Sequence, residues 1–382
     1  MFRRVMWLAL ATILPAVASI GYLHNSQAAG PIKIGLDVPS SGSDAFEGTH
    51  IARGVQFALE EQNKEGGIGG RQLETALGDN QCDPSVGVNS ARYLVNVAQA
   101  DVMIGSACSS VTLAVMPIIQ QAQVPELDVT ATSPKITQQS GVGGNIWKFR
   151  LNLNDEMMDA VFAQKVLAKD VKSLSILAVN TDYGRDAAGI FQRNLPGIKV
   201  LSTDYYTQGQ PDFRALLTKV KALNPEGLLL ISDYPDAAQI INQGHEVGLT
   251  GVKLFGRGSV ATNDLLKLLP DPSWAQGAKE VNFWVPGPTA RSLANRYQAR
   301  FNEPLNRDAG MGYFGAETLI AAMKDIKGEI TRKSIRDALE RVNVTISGLG
   351  HVQFDDHHQA HYPMYILQIW NGMVRILETI PT

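Results

Sequence analysis

The strongest constraint on the fold is a regular alternation between short apolar runs and amphipathic segments. Runs rich in β-branched and aliphatic residues alternate with segments whose apolar residues recur at helical spacing. The predicted strands are 31–38, 71–78, 101–104 and 124–130, and the predicted helices between and after them are 46–63, 84–98 and 109–122. Such alternation predicts an α/β fold in which a mostly parallel sheet carries helices on both faces.

The alternation restarts after Arg150, so the chain predicts two similar α/β units in succession. In the second unit the predicted strands are 173–179, 199–206, 227–232 and 253–255, and the predicted helices are 156–167, 184–194, 213–223 and 237–247. Further helices are predicted at 291–301, 311–326 and 332–342. The tail is predicted to end as a strand pair, 352–354 with 365–370, around a polar turn.

The N-terminus has the pattern of an export signal. Arg3 and Arg4 precede an apolar run over 5–20, and a polar stretch ends in small residues at Ala28. This pattern predicts a signal peptide over residues 1–28, cleaved near Ala28. An uncleaved membrane anchor is the alternative, but the run is short and is interrupted by Pro15. The protein is therefore expected to be exported.

The charge and the cysteines of the chain limit the functions that can be expected of it. The chain has 34 basic and 37 acidic residues and no long basic block, so nucleic acid is not an expected partner. Cys82 and Cys108 are its only cysteines. In an oxidising compartment they are expected to form a disulfide. A catalytic thiolate would need an activating base, and no histidine lies near either cysteine in the sequence.

Hydroxyl residues follow two of the predicted strands. Ser109 and Ser110 open a helix directly after a strand, and Thr130-Ala131-Thr132-Ser133-Pro134 follows the next strand. Serine at such a place can cap the helix, or it can help to bind a carboxylate or phosphate. Two hydroxyl-rich strand ends close together favour an anion site, because parallel strands bring these ends to one edge of the sheet.

The sequence gives little support for a dinucleotide site, a catalytic nucleophile or a metal site. The glycines at 66–70 lack dinucleotide-binding spacing, and no G-x-S-x-G nucleophile motif occurs. The histidine-rich segment 351–361 matches no standard zinc pattern and is predicted to form a polar hairpin turn. No catalytic constellation is visible, so neither enzymatic activity nor a cofactor is predicted.

The order of several motifs points to a family. They are IKIGLDVPSSG, GGIGGRQLE, NQCDPS, GSACSSVT, VPELDVTATSP, VNTDYGRD and the segment around Tyr234. With these motifs in this order, the chain resembles the periplasmic leucine/isoleucine/valine-binding proteins of branched-chain amino-acid ABC transporters. The resemblance implies a type I periplasmic binding protein: two doubly wound, parallel-sheet lobes joined by a three-segment hinge. Lobe 1 would comprise 31–150 plus 286–344, and lobe 2 would comprise 151–285 plus 345–382.

The resemblance also implies roles for individual residues. Ser109 would receive the ligand carboxylate with its hydroxyl and N–H, and Thr130 and Thr132 would complete that site. Tyr183 and Tyr234 would close over the ligand from the second lobe. Cys82 and Cys108 match the family's disulfide pair.

Departures from the family pattern leave the ligand open. Amino-acid-binding members place an acidic residue near Gly258 to hold the α-ammonium, whereas here that acid is absent and Arg257 is adjacent. Glu47, where the family often has an aromatic residue, and Asp233 could each supply the missing charge, or each could be a solvated rim acid. The ligand is therefore expected to be either an amino acid or amide held by Glu47 or Asp233, or a carboxylate without an amine, assisted by Arg257.

The expected function is that of a monomeric solute-binding protein of an ABC importer, delivering a small carboxylate ligand to an inner-membrane permease. A periplasmic sensor for a membrane receptor would use the same fold and is the first alternative. A metal-dependent hydrolase is the second, and it would need four histidines to converge: His351, His357, His358 and His361.

Overall fold

The computed structural model describes residues 30–195 and 197–381. The predicted signal peptide lies outside these residues. Among the described residues, no helix combines the length and the apolar character needed to cross a bilayer.

The first sheet is built from the N-terminal part of the chain. Its strands are β1 (Ile32–Val38), β2 (Leu73–Asp79), β3 (Val102–Gly105), β4 (Glu126–Asp128) and β5 (Lys148–Arg150). The helices of this part are α1 (Ala45–Lys64), α2 (Pro84–Asn96), α3 (Ser109–Ala122) and α4 (Pro134–Gln138). The strand order is β2-β1-β3-β4-β5, and all neighbouring strands are parallel.

The next part of the chain repeats the pattern. Its strands are β6 (Ser173–Val179), β7 (Lys199–Tyr206), β8 (Gly227–Ile231), β9 (Lys253–Arg257) and β10 (Lys279–Asn282). Its helices are α5 (Asp155–Phe162), which continues as a π-helical turn over Ala163–Leu167, α6 (Ala168–Asp170), α7 (Asp182–Arg193), α8 (Arg214–Leu223), α9 (Tyr234–Glu246) and α10 (Asn263–Leu268). Short 3₁₀ turns lie at Pro272–Ala275 and Pro288–Ala290.

The C-terminal part of the chain contributes further helices and strands. It contains α11 (Arg291–Phe301), α12 (Arg307–Lys324), α13 (Arg332–Glu340), β11 (Asn343–Ile346), β12 (Gly350–Gln353), β13 (Met364–Trp370) and β14 (Met373–Ile380). The second sheet has the order β14-β13-β10-β9-β8-β6-β7. Strands β6 to β10 run parallel to one another, and β13 is antiparallel to both β10 and β14.

Helices cover both faces of the first sheet because its central strand is apolar on both sides. Ile104 packs into the core that includes α1 and α12 residues, whereas Met103 packs with α2 and α3 on the opposite face. Helix α12 crosses α1 very closely. A Cβ atom at Gly54 would lie 1.9 Å from the Ala309 carbonyl oxygen, so only glycine permits this approach. Lobe 1 therefore includes a segment from the C-terminal half of the chain.

Within the described residues, the chain passes between the two sheets three times: after β5, after β10 and after β12. The boundary predicted after residue 344 falls inside the antiparallel β11–β12 hairpin. Since a hairpin is a single hydrogen-bonded unit that here contacts α12, we propose to place that boundary after β12.

The predicted strand pair in the tail is wrong. Residues 352 and 353 pair with β11, Phe354 bridges to Ala360, and 365–370 pairs with β14. Strand β14 follows β13 through Asn371-Gly372, whose φ angles of 51° and 70° are those of a tight two-residue hairpin turn. The Asn-Gly pair is a sequence signal for such a turn, and the sequence analysis did not use it.

The histidine-rich segment begins with His351 in β12 and continues as a loop between these hairpins. The His358 ring stacks on Phe149 with centroids 4.0 Å apart, and its Nδ1 lies 3.0 Å from the Lys148 carbonyl oxygen. His361 lies 2.9 Å from Asp355. In the described part of the chain, the one group of three side chains spaced for a metal is Asp44 with Cys82 and Cys108, whose sulfurs are bonded to each other.

Asp37 of β1 is expected to make stability depend on pH. Burial raises the pKa of this carboxyl from 3.8 to about 7, although Ser90 donates a hydrogen bond to it at 2.6 Å. Between these two pH values the unfolded chain ionises Asp37 while the folded protein keeps its proton. The free energy of unfolding should then fall by about 1.4 kcal/mol for each pH unit as pH rises.

Asp37→Asn should flatten this slope, and urea denaturation at pH 4 to 8 would measure it. Asp325→Asn, at an exposed position, serves as the control, and we expect it to keep the wild-type dependence of stability on pH. Parallel pH profiles for the wild type and Asp37→Asn would contradict the assignment.

Candidate ligand-binding cleft

A cleft between the two sheets, at the carboxyl ends of their parallel strands, contains about 660 Å³ of space not filled by atoms, part of which is open to solvent. Every ligand-binding residue predicted from the sequence lines it: Glu47, Ser109, Thr130, Thr132, Tyr183, Asp233, Tyr234 and Arg257. The carboxyl ends of the parallel strands therefore bring together residues that are far apart in the sequence. Glu47 and Arg257, the two extremes, are 210 positions apart. Their contact with a solute stays a prediction.

One wall of the cleft is the N-terminus of α3. Cys108 is the N-cap residue and makes no side-chain capping hydrogen bond. The first helical hydrogen bond runs from Thr112 N to Cys108 O at 2.9 Å, so the N–H groups of residues 109–111 precede the helical ladder. Such N–H groups, together with the positive end of the helix dipole, favour an anion.

Ser109 joins this helix end to the loop after β4. Its hydroxyl oxygen accepts hydrogen bonds from Thr132 N at 3.2 Å and from Ser133 N at 3.1 Å. The two hydroxyl-rich strand ends are thus adjacent, as the parallel sheet predicted. A hydroxyl that accepts twice still carries its own proton, which Ser109 can donate to an anion in the cleft.

The disulfide between Cys82 and Cys108 is formed, with the two Cα atoms 5.6 Å apart. The prediction of this bond is confirmed. It ties the loop after β2 to the residue that directly precedes Ser109. The sulfur chemistry is therefore structural, and it anchors the N-terminus of α3.

Lobe 2 supplies two tyrosines to the cleft. Tyr183 donates from its hydroxyl to the Arg257 carbonyl oxygen at 2.8 Å, and burial raises the pKa of this phenol well above its usual value. The Tyr234 ring lies edge-on to Phe46, with centroids 5.8 Å apart. Both rings are therefore neutral walls of the cleft.

Arg257 lines the cleft, but its charge is already paired within lobe 2, and its assistance to a ligand anion stays a prediction. Its Nε lies 2.7 Å from Asp159, and it also makes a short hydrogen bond to Asp155. All three side chains are buried. Both carboxylates lie on α5, so the guanidinium is neutralised inside lobe 2.

Arg307, which the sequence analysis missed, lies beside Gly258. It donates to the Gly258 carbonyl oxygen at 2.8 Å and to Asp308 at 2.7 Å, and its guanidinium lies 5.0 Å from the centre of the Tyr234 ring. A Cβ atom at residue 258 would lie 2.9 Å from this guanidinium. The position where the family pattern has an acid thus faces a cation of this chain instead.

Carboxyl groups also line the cleft. Gln208 donates to Asp44 at 2.5 Å and to Asp233 at 2.8 Å, and Glu47 lies 3.9 Å from Arg307. Burial is the main cause of their raised pKa values, and neighbouring carboxylates add to it. The pKa of Glu47 rises to about 8 and that of Asp233 to about 6, and the pKa of Asp44 lies well above its usual value.

The family assignment follows from this architecture and from the match of residues 31–372 to the family described as periplasmic binding protein. The chain belongs to the periplasmic binding protein family. The fold of this binding protein is accordingly type I, with two α/β lobes, and the resemblance to branched-chain amino-acid-binding proteins is confirmed.

Relatives of this binding protein carry names that refer to amino acids. The leucine-, isoleucine-, valine-, threonine- and alanine-binding protein of Pseudomonas aeruginosa is 28% identical over 351 residues, which are 91% of this chain and 92% of that protein. The crystal structure of LivJ from Streptococcus pneumoniae with isoleucine has a TM-score of 0.82 at 23% identity, covering 92% of this chain and 99% of that one. A solute-binding protein from R. palustris in complex with benzoate has a TM-score of 0.84 at 20% identity, covering 92% and 97%. These structural likenesses show the shared fold.

The two lobes of this binding protein are in direct contact. Ser110 Oγ accepts from Asp182 N at 3.0 Å, and Lys135 pairs with Asp186 at 2.8 Å. In addition, the Gln208 amide of lobe 2 bonds to Asp44 of lobe 1. These contacts define a closed arrangement, in which the cleft residues of both lobes face one another.

Proposed function

We propose that this chain is the solute-binding protein of an ABC importer and carries a small carboxylate-bearing solute to an inner-membrane permease. The observation that carries this proposal is the N-terminus of α3 inside the cleft, with Ser109 and Thr132 beside it. The names of relatives such as the Pseudomonas aeruginosa protein support a solute with a carboxylate, since amino acids contain one. The protein acts as a monomer after signal-peptide cleavage near Ala28, and it requires neither a cofactor nor covalent chemistry.

Binding begins on lobe 1 in this proposal. The solute carboxylate accepts hydrogen bonds from the N–H groups that precede the α3 ladder and from the Ser109 hydroxyl. Closure then brings Tyr183 and Tyr234 of lobe 2 against the solute and excludes water. The solute favours the closed form only through the contacts that this form adds, and the permease recognises that form.

The test of this function is whether binding depends on a carboxylate group in the solute. We expect at least one carboxylate in a panel of amino acids, benzoates and aliphatic acids to raise the melting temperature of the protein. At a concentration a hundredfold above Kd, binding adds about 2.7 kcal/mol of stability. The corresponding shift in melting temperature is several degrees, which differential scanning fluorimetry resolves.

The matched control is the primary amide of each solute that binds, for example leucinamide for leucine or benzamide for benzoate. We expect the amide to lose most of the shift, because a neutral group gains less from a helix N-terminus. Equal shifts with acid and amide would contradict an anion site at α3.

A further inference from the structure

The closed cleft contains more carboxyl groups than its own cations pair with. Arg257 is paired with two aspartates of α5, and Arg307 pairs with Asp308 at 2.7 Å. Beyond these pairs lie Asp44, Glu47 and Asp233, which we call the acidic pocket. Among the described residues, the one ion pair made by the acidic pocket is the 3.9 Å contact of Glu47 with Arg307.

Asp44 and Asp233 come from different lobes and face each other across one amide. Both accept hydrogen bonds from the same Gln208 nitrogen, at 2.5 Å and 2.8 Å. An amide donates to them but brings no positive charge. Because both carboxyl groups are buried in the closed form, closure without a cation favours their protonated forms, as their raised pKa values reflect. A cation that enters the pocket would stabilise the ionised forms instead.

A separate observation marks the same pocket as a place for a ligand. The Thr130 hydroxyl lines the cleft close enough to Glu47 to lower the pKa of that carboxyl, and Thr130 is only 5% exposed. Its oxygen has no hydrogen-bond partner of normal geometry. Buried hydroxyls are rarely left unpaired, because the lost hydrogen bond is costly. An ammonium or guanidinium group would donate to this oxygen as well as to the carboxylates.

We propose that the acidic pocket binds a cationic group of the solute and that the solute class is the basic amino acids. This inference rests on the proposed function, which assigns the solute carboxylate to the N-terminus of α3. A neutral amino acid brings one cation, whereas the pocket presents two carboxylates without an ion pair and a third that shares Arg307. A basic amino acid brings two cations with its carboxylate, so its second cation can meet a second carboxylate of the pocket. Its cationic groups also stabilise the ionised forms of Asp44 and Asp233 in the closed cleft, which favours closure.

The test is isothermal titration of the full mature protein with five probes: L-arginine, L-lysine, L-leucine, benzoate and agmatine. We expect arginine or lysine to bind at least about tenfold more tightly than leucine and benzoate, which lack the second cation. Agmatine keeps both cations of arginine but lacks its carboxylate, and we expect it to bind more weakly than arginine.

Asp44→Asn and Asp233→Asn should each weaken binding of the preferred basic amino acid by about 10- to 100-fold, because each removes a charged hydrogen-bond acceptor. Glu329→Gln removes one negative charge at an exposed position remote from the cleft and should leave affinity unchanged. Melting temperatures of the variants show whether each is folded, and the wild-type panel does not depend on them.

The outcomes separate this inference from the function on which it rests. Tight binding of leucine or benzoate without binding of arginine or lysine would overturn the inference and leave the carboxylate function intact. Binding of agmatine as tight as that of arginine would instead contradict the carboxylate site. Basic amino acids whose affinity is unchanged in both Asn variants would remove the acidic pocket from recognition.

Discussion

Replacing Arg257 by methionine is expected to lower the free energy of unfolding by about 3–5 kcal/mol. The substitution removes the cation that pairs with Asp155 and Asp159, both fully buried on α5. Burial already raises the pKa of both carboxyls, and without the guanidinium they would lose their main compensating charge. Chemical denaturation at pH 7 measures the loss. A melting temperature lower by several degrees should accompany it.

Two further variants separate this structural role from ligand binding. Arg257→Lys keeps the charge and should recover part of the stability, although lysine cannot reproduce both guanidinium contacts. Combining Arg257→Met with asparagine at Asp155 and Asp159 removes the uncompensated charges and should also recover stability. If Arg257→Met instead left stability unchanged and abolished carboxylate binding, Arg257 would belong to the solute site after all.

Much of the fold could be predicted because burial follows a local period. The predicted segments 109–122, 173–179 and 199–206 agree residue for residue with α3, β6 and β7. Strand β5 was missed because its three residues are too few to show any period. Strand β14 was missed for a different reason: most of its residues are exposed, so neither face carries an apolar pattern.

The site was predictable wherever a parallel strand ends, because the sheet itself brings those residues together. Ser109, Thr132, Tyr183 and Tyr234 all follow strands directly or within a few residues. Arg307 does not follow a strand. It is the first residue of α12, and its approach to Gly258 depends on how α12 packs against α1.

Adjacency in the sequence was also a poor guide where the direction of a side chain decides its contacts. Arg257 is adjacent to Gly258, yet its side chain pairs with α5 rather than with the opposite lobe. Asp44 and Gln208 lie in loops of different lobes, and their hydrogen bond exists because the lobes are closed. Tertiary contacts of this kind leave no periodic trace in a sequence, so composition and spacing alone could not reveal the acidic pocket.

Removing the Ser109 hydroxyl is expected to weaken binding of any carboxylate solute by roughly 10- to 100-fold, since a hydrogen bond to a charged group contributes about 1.5–3 kcal/mol. In Ser109→Ala the solute loses a donor at the N-terminus of α3. In addition, Thr132 N and Ser133 N lose the acceptor that holds their loop against this helix. The combination of Ser109→Ala with Thr132→Val should reduce affinity further, and titration calorimetry measures both steps.

Ser85→Ala is the matched control, because Ser85 lies in the first turn of α2, another helix of lobe 1, and is exposed there. Its hydroxyl bonds to Asp83 and does not line the cleft, so we expect wild-type affinity. The loss in Ser109→Ala should also be larger for a carboxylate than for its amide, because the missing hydroxyl gives its strongest hydrogen bond to a charged acceptor. Equal losses for acid and amide would mean that Ser109 only holds the loop in place, and unchanged affinity for a carboxylate would remove α3 from the binding site.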